Sequence, residues 1–256
     1  MTTGSPLAGK RIVITRPRAQ AAALADKLAG LGAEPIIFPT IHIAPVDDYG
    51  PLDTALQRLD QYRWIIFTSA NAVAIFWERL GGRLPGTVRL AAVGPTTARA
   101  LEKRRHTVAL IPDEYVAEAL AAGLGDVAGQ HILLPHAELA REVLADDLRA
   151  RGATVDEIAI YRTLPAAPDP GGLAELKRGV DAITFTSASA ARNFALVAGG
   201  ELLAGSLSII ACIGPVTANA ASQAGLPVDV VAAEYTLDGL VAALAAHFGK
   251  AQQKES

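Results

Sequence analysis

The sequence predicts an α/β protein, with two parallel sheets covered by helices and built from one strand–helix unit that occurs twice. Three observations carry this. Short Ile/Val-rich runs alternate with Ala-rich stretches of helical period along the chain. The chain matches itself at an offset of 120 residues. Alanine supplies 51 of the 256 residues and aromatics only 5%, the composition of Ala-rich helices packed on Ile/Val strands.

The elements follow in order. Ile12–Thr15 reads as a short strand. Ala19–Leu31 reads as a helix with Leu24, Leu28 and Leu31 on one face, stopped by Gly32. Glu34–Phe38 and Ile41–Val46 are extended. Trp64–Thr68 leads into a helix from about Ala70 to Leu80, and Val88–Val93 into one from about Thr96 to Arg104. Thr107–Ile111 reads as a strand and Val116–Leu124 as a helix. The second copy opens at His131-Ile132-Leu133-Leu134-Pro135-His136, which answers Arg11-Ile12-Val13-Ile14-Thr15-Arg16. Gly152-Ala153 answers Gly32-Ala33, Gly214-Pro215 answers Gly94-Pro95, and Tyr235 answers Tyr115. Phe185-Thr186-Ser187-Ala188 answers Phe67-Thr68-Ser69-Ala70, here at an offset of 118. Such a register indicates duplication of one α/β unit.

Duplication leaves two organisations open. Each copy folds alone, or each domain takes its first strand–helix–strand from one copy and the remainder from the other. The crossed form has a discontinuous domain, 1–40 plus 166–256, and a continuous one, 47–159. Residues 41–46 and 160–165 are then linker strands that pair with each other. Periodicity alone does not decide between the two.

Composition excludes several classes. Apolar residues make up 51% and charged residues 19%, the reverse of a disordered chain. The longest apolar run, Leu240–Ala246, ends at His247, far short of the roughly 20 residues a membrane span needs. The net charge of −3 and pI of about 6.0 offer no basic footprint for nucleic acid. The single cysteine, Cys212, lies in Ile209-Ile210-Ala211-Cys212-Ile213; it can make no internal disulfide and reads as a buried, inert thiol. Met1–Lys10 lacks an apolar signal core, so a cytoplasmic protein is expected.

The informative positions are four strand-to-helix turns: Thr68-Ser69-Ala70-Asn71, Gly94-Pro95-Thr96-Thr97, Thr186-Ser187-Ala188-Ser189 and Gly214-Pro215-Val216-Thr217. Each lies at the carboxyl end of an expected strand, where open α/β sheets bind ligands. Ser or Thr at one such turn needs no more explanation than a helix cap. Four related turns of small residues point further, to carboxylates held by free N–H groups and the helix dipole. Arg16 and Arg18 follow the first strand, and His136 matches Arg16 in the second copy. A cation there suits an acidic ligand, although a solvated loop charge explains Arg16 equally well and Arg18 better. Tyr161 lies in the extended segment Ile160-Tyr161-Arg162-Thr163 and reads either as a packing aromatic or as a hydroxyl donor at a site. No Gly-x-Gly-x-x-Gly, Walker A, Gly-x-Ser-x-Gly or His-Glu-x-x-His pattern occurs. His42, His106, His131, His136 and His247 form no ligand-spaced cluster, so no metal is expected.

In their order along the chain, these features resemble the uroporphyrinogen-III synthase family. The residues that carry the resemblance are Thr15-Arg16-Pro17, Phe67-Thr68-Ser69-Ala70-Asn71, Val93-Gly94-Pro95-Thr96-Thr97-Ala98, Tyr161-Arg162-Thr163, Phe185-Thr186-Ser187 and Ile213-Gly214-Pro215-Val216-Thr217-Ala218. The resemblance implies two flavodoxin-like domains in the crossed arrangement, joined by a two-strand β-ladder with the active site in the cleft. It implies a substrate, hydroxymethylbilane, a linear tetrapyrrole with eight carboxylates. Cyclisation would proceed with loss of water and inversion of the terminal pyrrole ring, with no cofactor or metal. It gives Tyr161 the part of assisting the departing hydroxyl. It makes Arg16, Thr68, Ser69, Ala70, Gly94, Thr96, Thr97, His136, Thr186, Ser187, Ala188, Gly214, Val216 and Thr217 substrate-contact candidates. It also implies a monomer without nucleic-acid or membrane partners. The alternative class is a bilobal ligand-binding or regulatory module without catalysis. No basic segment is appended, and Gly249–Ser256 reads as a short polar tail, so the expectation is a free-standing enzyme.

Overall fold

The computed structural model describes residues 5–139, 143–198 and 208–254. The first part of the chain runs β1 (Arg11–Ile14), α1 (Arg18–Ala29), β2 (Glu34–Ile37), β3 (Ile41–Pro45), α2 (Gly50–Leu56), β4 (Trp64–Phe67), α3 (Ala70–Leu80), β5 (Arg89–Ala92), α4 (Pro95–Glu102) and α5 (Ala117–Gly123). It continues with β6 (His131–Ala137), α6 (Val143–Ala150), β7 (Thr154–Pro165), α7 (Pro170–Lys177), β8 (Ala182–Phe185), α8 (Ala188–Ala198), β9 (Ile209–Cys212), α9 (Pro215–Gln223), β10 (Val230–Val231) and α10 (Leu237–Lys254).

The chain divides into two compact units. Unit 1 comprises Met1–His42 and Leu164–Ser256, and unit 2 comprises Ile43–Thr163. In unit 1 the strand order is β10-β9-β8-β1-β2, with all pairs parallel. Counted along that unit's own chain, this is the 2-1-3-4-5 order of a doubly wound sheet. Unit 2 has the order β3-β7-β6-β4-β5, in which β4, β5, β6 and β7 pair in parallel.

Alternation within the strands explains both cores. In unit 1, Ile12 and Ile14 of β1 face α1 and α10 through Leu24, Leu28, Leu240 and Leu244. Val13 faces the other way, among Phe38, Phe185 and Phe194. In unit 2, Ile65 and Phe67 of β4 pack with Phe76 of α3, while Trp64 and Ile66 pack with Leu144 and Leu148 of α6. The few aromatics are concentrated at these faces: Phe38, Phe67, Phe76, Phe185 and Phe194 are fully buried. Buried hydroxyls at the strand ends are satisfied across the β1–β8 pair. Thr15 donates to the Thr184 carbonyl and Thr184 to that of Val13, each at 2.7 Å.

Two expectations change, and one helix, α2, forms where none was expected. Thr107–Ile111 is not a regular strand; it makes a single parallel bridge, Ala91 to Leu110, because Pro112 follows at once and cannot extend a ladder. Gly50-Pro51 punctuates the sequence like a turn, yet it opens α2, with proline in the first turn where its missing N–H costs nothing. The expected polar tail is helical through Lys254. The stripe of Leu240, Leu244 and Phe248 anchors that helix to the core, and nothing after it breaks the turn. Residues 255 and 256 of that tail, and Met1–Gly4 of the N-terminal segment, lie outside the described residues.

Candidate carboxylate-binding turns and a buried phenol

In unit 2, the carboxyl ends of neighbouring strands β5, β4, β6 and β7 gather the expected residues along one edge. Ser69 follows β4 in extended conformation and caps α3: its Oγ accepts from the Ala72 N–H at 3.0 Å. The same oxygen lies 2.8 Å from the Tyr161 hydroxyl. Tyr161 is 5% exposed, more enclosed than an aromatic on an extended linker would be. Burial raises its pKa above the ordinary 10, while hydrogen bonds from Ser69 and Asn71 act in the opposite direction. The phenol is therefore protonated at neutral pH and available as a hydrogen-bond donor. The β6–β7 register breaks between His136 and Ala137, opposite Tyr161, and the Tyr161 carbonyl accepts from Glu138 N–H at 2.8 Å. Bulges of this kind re-aim side chains at a sheet edge. The His136 ring turns back on its own strand, with Nδ1 donating to the Ala137 carbonyl at 2.6 Å.

Gly94 caps α4 without a side chain, and Pro95 occupies the first helical position. The N–H groups of Thr96 and Thr97 have no carbonyl one turn back, and no side-chain oxygen covers them from Gly94. Thr96 is exposed, whereas Thr97 is buried at 4%. Thr68 is exposed and Ala70 half-buried beside Ser69.

Unit 1 repeats the pattern. Ser187 Oγ accepts from Ala190 N–H at 3.2 Å and lies 3.2 Å from Ser189 Oγ. Thr186 and Ala188 flank it, half-buried. Gly214 and Pro215 open α9 as Gly94 and Pro95 open α4, again with no side-chain cap. Val216 is 49% exposed and Thr217 buried. Unit 1 has a cation where unit 2 has His136. One guanidinium nitrogen of Arg16 donates to Gln20 at 3.3 Å, but its buried Nε has no partner among the described residues. Desolvation lowers the Arg16 pKa. A half-buried, half-satisfied guanidinium at the end of β1 is complementary to a carboxylate.

Sequence reasoning did not single out Asn71, which touches the phenol, or Tyr115 and Tyr235, which pack on the Gly-Pro turns. The two tyrosines were visible only as a matched pair at an offset of 120. Two surface concavities, of about 550 and 410 Å³, are lined by other residues, among them Tyr49 and Arg79 in the first and Arg18 and His42 in the second.

Fold and site together define a two-unit parallel α/β protein whose sheet edges offer amide-rich turns suited to acidic groups. A family model described as Uroporphyrinogen-III synthase HemD matches residues 22–242. The chain is 34% identical over 257 residues to the uroporphyrinogen-III synthase of Synechococcus elongatus, covering 93% of this chain and 96% of that one. It is 32% identical to that of Chlorobaculum parvum, over 87% of this chain and 92% of the relative. Among solved structures, a mutant uroporphyrinogen III synthase from the extremely thermophilic bacterium Thermus thermophilus superposes with a TM-score of 0.64 at 23% identity, covering 96% of this chain and all of that one. The chain belongs to the uroporphyrinogen-III synthase family.

Proposed function

We propose that this chain closes hydroxymethylbilane into uroporphyrinogen III, with loss of water and inversion of the terminal pyrrole ring. The observation that carries the reading is the buried Tyr161 phenol, 2.8 Å from Ser69 Oγ at the carboxyl edge of its sheet, in a chain of this family. The substrate supplies its own reactivity. The terminal pyrrole nitrogen pushes electrons into the ring, the carbon–oxygen bond breaks, and the oxygen takes a proton and leaves as water. The resulting azafulvene carbon is attacked by the substituted α-carbon of the pyrrole at the opposite end of the chain, giving a spiro intermediate. The bond from that α-carbon to its original methylene bridge then breaks and re-forms at the same ring's free α-carbon, which loses its proton, so the ring ends inverted and neither an oxidant nor a cofactor is needed. Two tasks remain for the protein: holding the chain in a closing geometry and easing the departure of the hydroxyl.

Tyr161 is assigned the second task. Either hydroxyl of the Ser69–Tyr161 pair can donate; with Ser69, which already accepts from Ala72, donating to the phenol oxygen, the phenol hydrogen is left for the departing hydroxyl. The first task falls to Arg16, Thr68, Ser69, Ala70, Gly94, Thr96, Thr97 and His136, with Thr186, Ser187, Ala188, Gly214, Val216 and Thr217. Buried Thr97 and Thr217 contribute through their backbone N–H groups.

The two units are read as copies of one ancestral unit. Supporting this are the paired caps Ser69 and Ser187, the paired glycine caps Gly94 and Gly214, and the left-handed glycines Gly32 and Gly152. The same reading takes 1–40 plus 166–256 and 47–159 as two flavodoxin-like domains, with 41–46 and 160–165 as the ladder that links them.

The test is direct. The protein is given hydroxymethylbilane and the type III product is separated from the type I isomer that forms spontaneously. Type III in excess is expected; a mixture identical to the no-enzyme control overturns the reading in favour of a non-catalytic binding module.

A further inference from the structure

Gly94 and Gly214 pose a question the caps do not answer. Their φ values are −169° and −178°, extended backbone that any residue adopts, so their lack of a side chain is not a matter of conformation. A Cβ on Gly94 would stand 3.4 Å from Cβ and Cγ of Tyr115. On Gly214 it would stand 3.2 Å from Cγ and Cδ1 of Tyr235. In each unit a tyrosine is laid against the turn: at Gly214 an added Cβ would press on the ring by a few tenths of an ångström, and at Gly94 it would meet the tyrosine at contact distance.

The two rings are placed alike. Each tyrosine follows a glutamate and precedes the next helix by two residues, α5 after Tyr115 and α10 after Tyr235. Each loop leaves the outermost parallel pairing of its sheet, at Leu110 in one unit and at β10 in the other. Tyr115 keeps 37% of its surface exposed and Tyr235 is also partly exposed. Part of each ring therefore faces solvent, where a ligand can reach it. The residue after the ring differs, Val116 against Thr236, while the glutamate before it, the ring and the glycine beneath it are kept in both units.

We propose that Tyr115 and Tyr235 are substrate-contact residues, one aromatic wall per unit, against which a pyrrole ring of the substrate packs while its carboxylate is held at the adjoining Gly-Pro turn. The proposal rests on the synthase reading and deepens it. The chemistry is complementary. Each pyrrole carries its carboxylates on short flexible arms, so an acid group held at the first-turn N–H groups of α4 or α9 leaves its ring beside the tyrosine. Aromatic pairs in offset or edge-to-face contact then add affinity beyond area burial.

The experiment uses the full chain and four variants, Tyr115→Phe, Tyr115→Leu, Tyr235→Phe and Tyr235→Leu. KM and kcat for hydroxymethylbilane are measured with isomer separation, and each variant's melting temperature is recorded. Each leucine variant is expected to raise KM by about three- to tenfold, as a lost aromatic pair would. Its kcat should stay near the parent value, and the phenylalanine variants should keep the parent KM. An unchanged KM in both leucine variants overturns the proposal, as do phenylalanine variants as impaired as leucine.

Should a leucine variant fail to fold, nitration of the parent protein followed by mass spectrometry decides. A linear tetrapyrrole octacarboxylate lacking the hydroxymethyl group is expected to protect Tyr115 and Tyr235 while leaving half-buried Tyr49 reactive. Equal nitration of all three with and without that ligand overturns the proposal. A parent protein that makes no type III product fails the synthase reading itself, an outcome distinct from a parent that turns over and leucine variants with flat KM.

Discussion

At the scale of single residues, Tyr161 and Arg105 each lead to a prediction. The Tyr161 phenol is buried, its pKa lies above the ordinary 10, and Ser69 and Asn71 hold it. A phenol with a raised pKa keeps its proton through the neutral range, so it acts as a donor until the solution becomes strongly alkaline. Tyr161→Phe is expected to lower kcat for type III formation by about a hundredfold, the usual scale for losing a positioned proton donor, with the melting temperature little changed. The parent's activity should fall only above pH 10, and the phenylalanine variant should lack that alkaline limb. Turnover equal to the parent's removes Tyr161 from the chemistry. Arg105 concerns stability. It is a non-glycine residue at φ 62°, ending α4 with the His106 N–H bonded to the Leu101 carbonyl at 3.3 Å. At the same point after α9, Leu226 bonds to Ala221 at 3.0 Å and the left-handed residue is Gly225, φ 82°. A left-handed side chain costs about 1–2 kcal/mol, part of which glycine returns through its freer unfolded chain. Arg105→Gly is therefore expected to stabilise by about 0.5–1 kcal/mol, read as a higher urea midpoint; a lower midpoint refutes the strain.

At the scale of elements, the paired caps separate folding from catalysis. Ser187 caps α8 and Ser69 caps α3, but only Ser69 also meets Tyr161. Each Ser→Ala change is expected to cost about 1 kcal/mol, the usual value of a lost N-cap. Ser69→Ala should in addition lower kcat, whereas Ser187→Ala, at a residue proposed only to hold the substrate, should raise KM and leave kcat within about twofold. Equal kinetic effects at matched stability loss would show that the Ser69–Tyr161 contact has no chemical role. Elements of this kind were legible because their signals are local. Buried strands such as Ile12–Ile14 are continuous apolar runs, and Ser or Gly-Pro marks where a helix opens. Features that depend on distant partners were not. Gly50-Pro51 looks like a turn until Leu52 and Ala55 of α2 find the core of unit 2. The segment after Gly249 reads as tail because its residues are polar, yet the apolar stripe of Leu240, Leu244 and Phe248 commits the helix before they are reached. The same holds at the site. The caps were readable, but the burial of Tyr161 depends on a register break in β6 and on a serine 92 residues away, neither of which leaves a trace near position 161.

At the scale of the whole molecule, the question is how a protein of net charge −3 holds an octa-anion. Range decides it. The excess is only three charges, the difference between 26 acidic and 23 basic residues, and at 0.1 M salt its repulsion is largely screened beyond a Debye length of roughly 10 Å. In the proposed reading the attractive groups act in contact: the amides of the four turns and the Arg16 guanidinium. Added salt therefore changes the remote repulsion little while its anions compete at the turns. KM is expected to rise several-fold between about 0.1 and 0.5 M potassium chloride, and a flat KM over that span contradicts the carboxylate cradle. Arg16 sharpens the test. Its Nε is buried without a partner among the described residues and desolvation lowers its pKa, so in the free protein it is a charge held at a cost to the fold. Arg16→Gln should weaken binding and flatten the salt dependence, yet leave the melting temperature equal to or above the parent's, the trade expected where stability is given up for function. A variant that loses stability while keeping both its KM and the parent's salt slope would mean that Arg16 serves the fold of unit 1 and not the ligand.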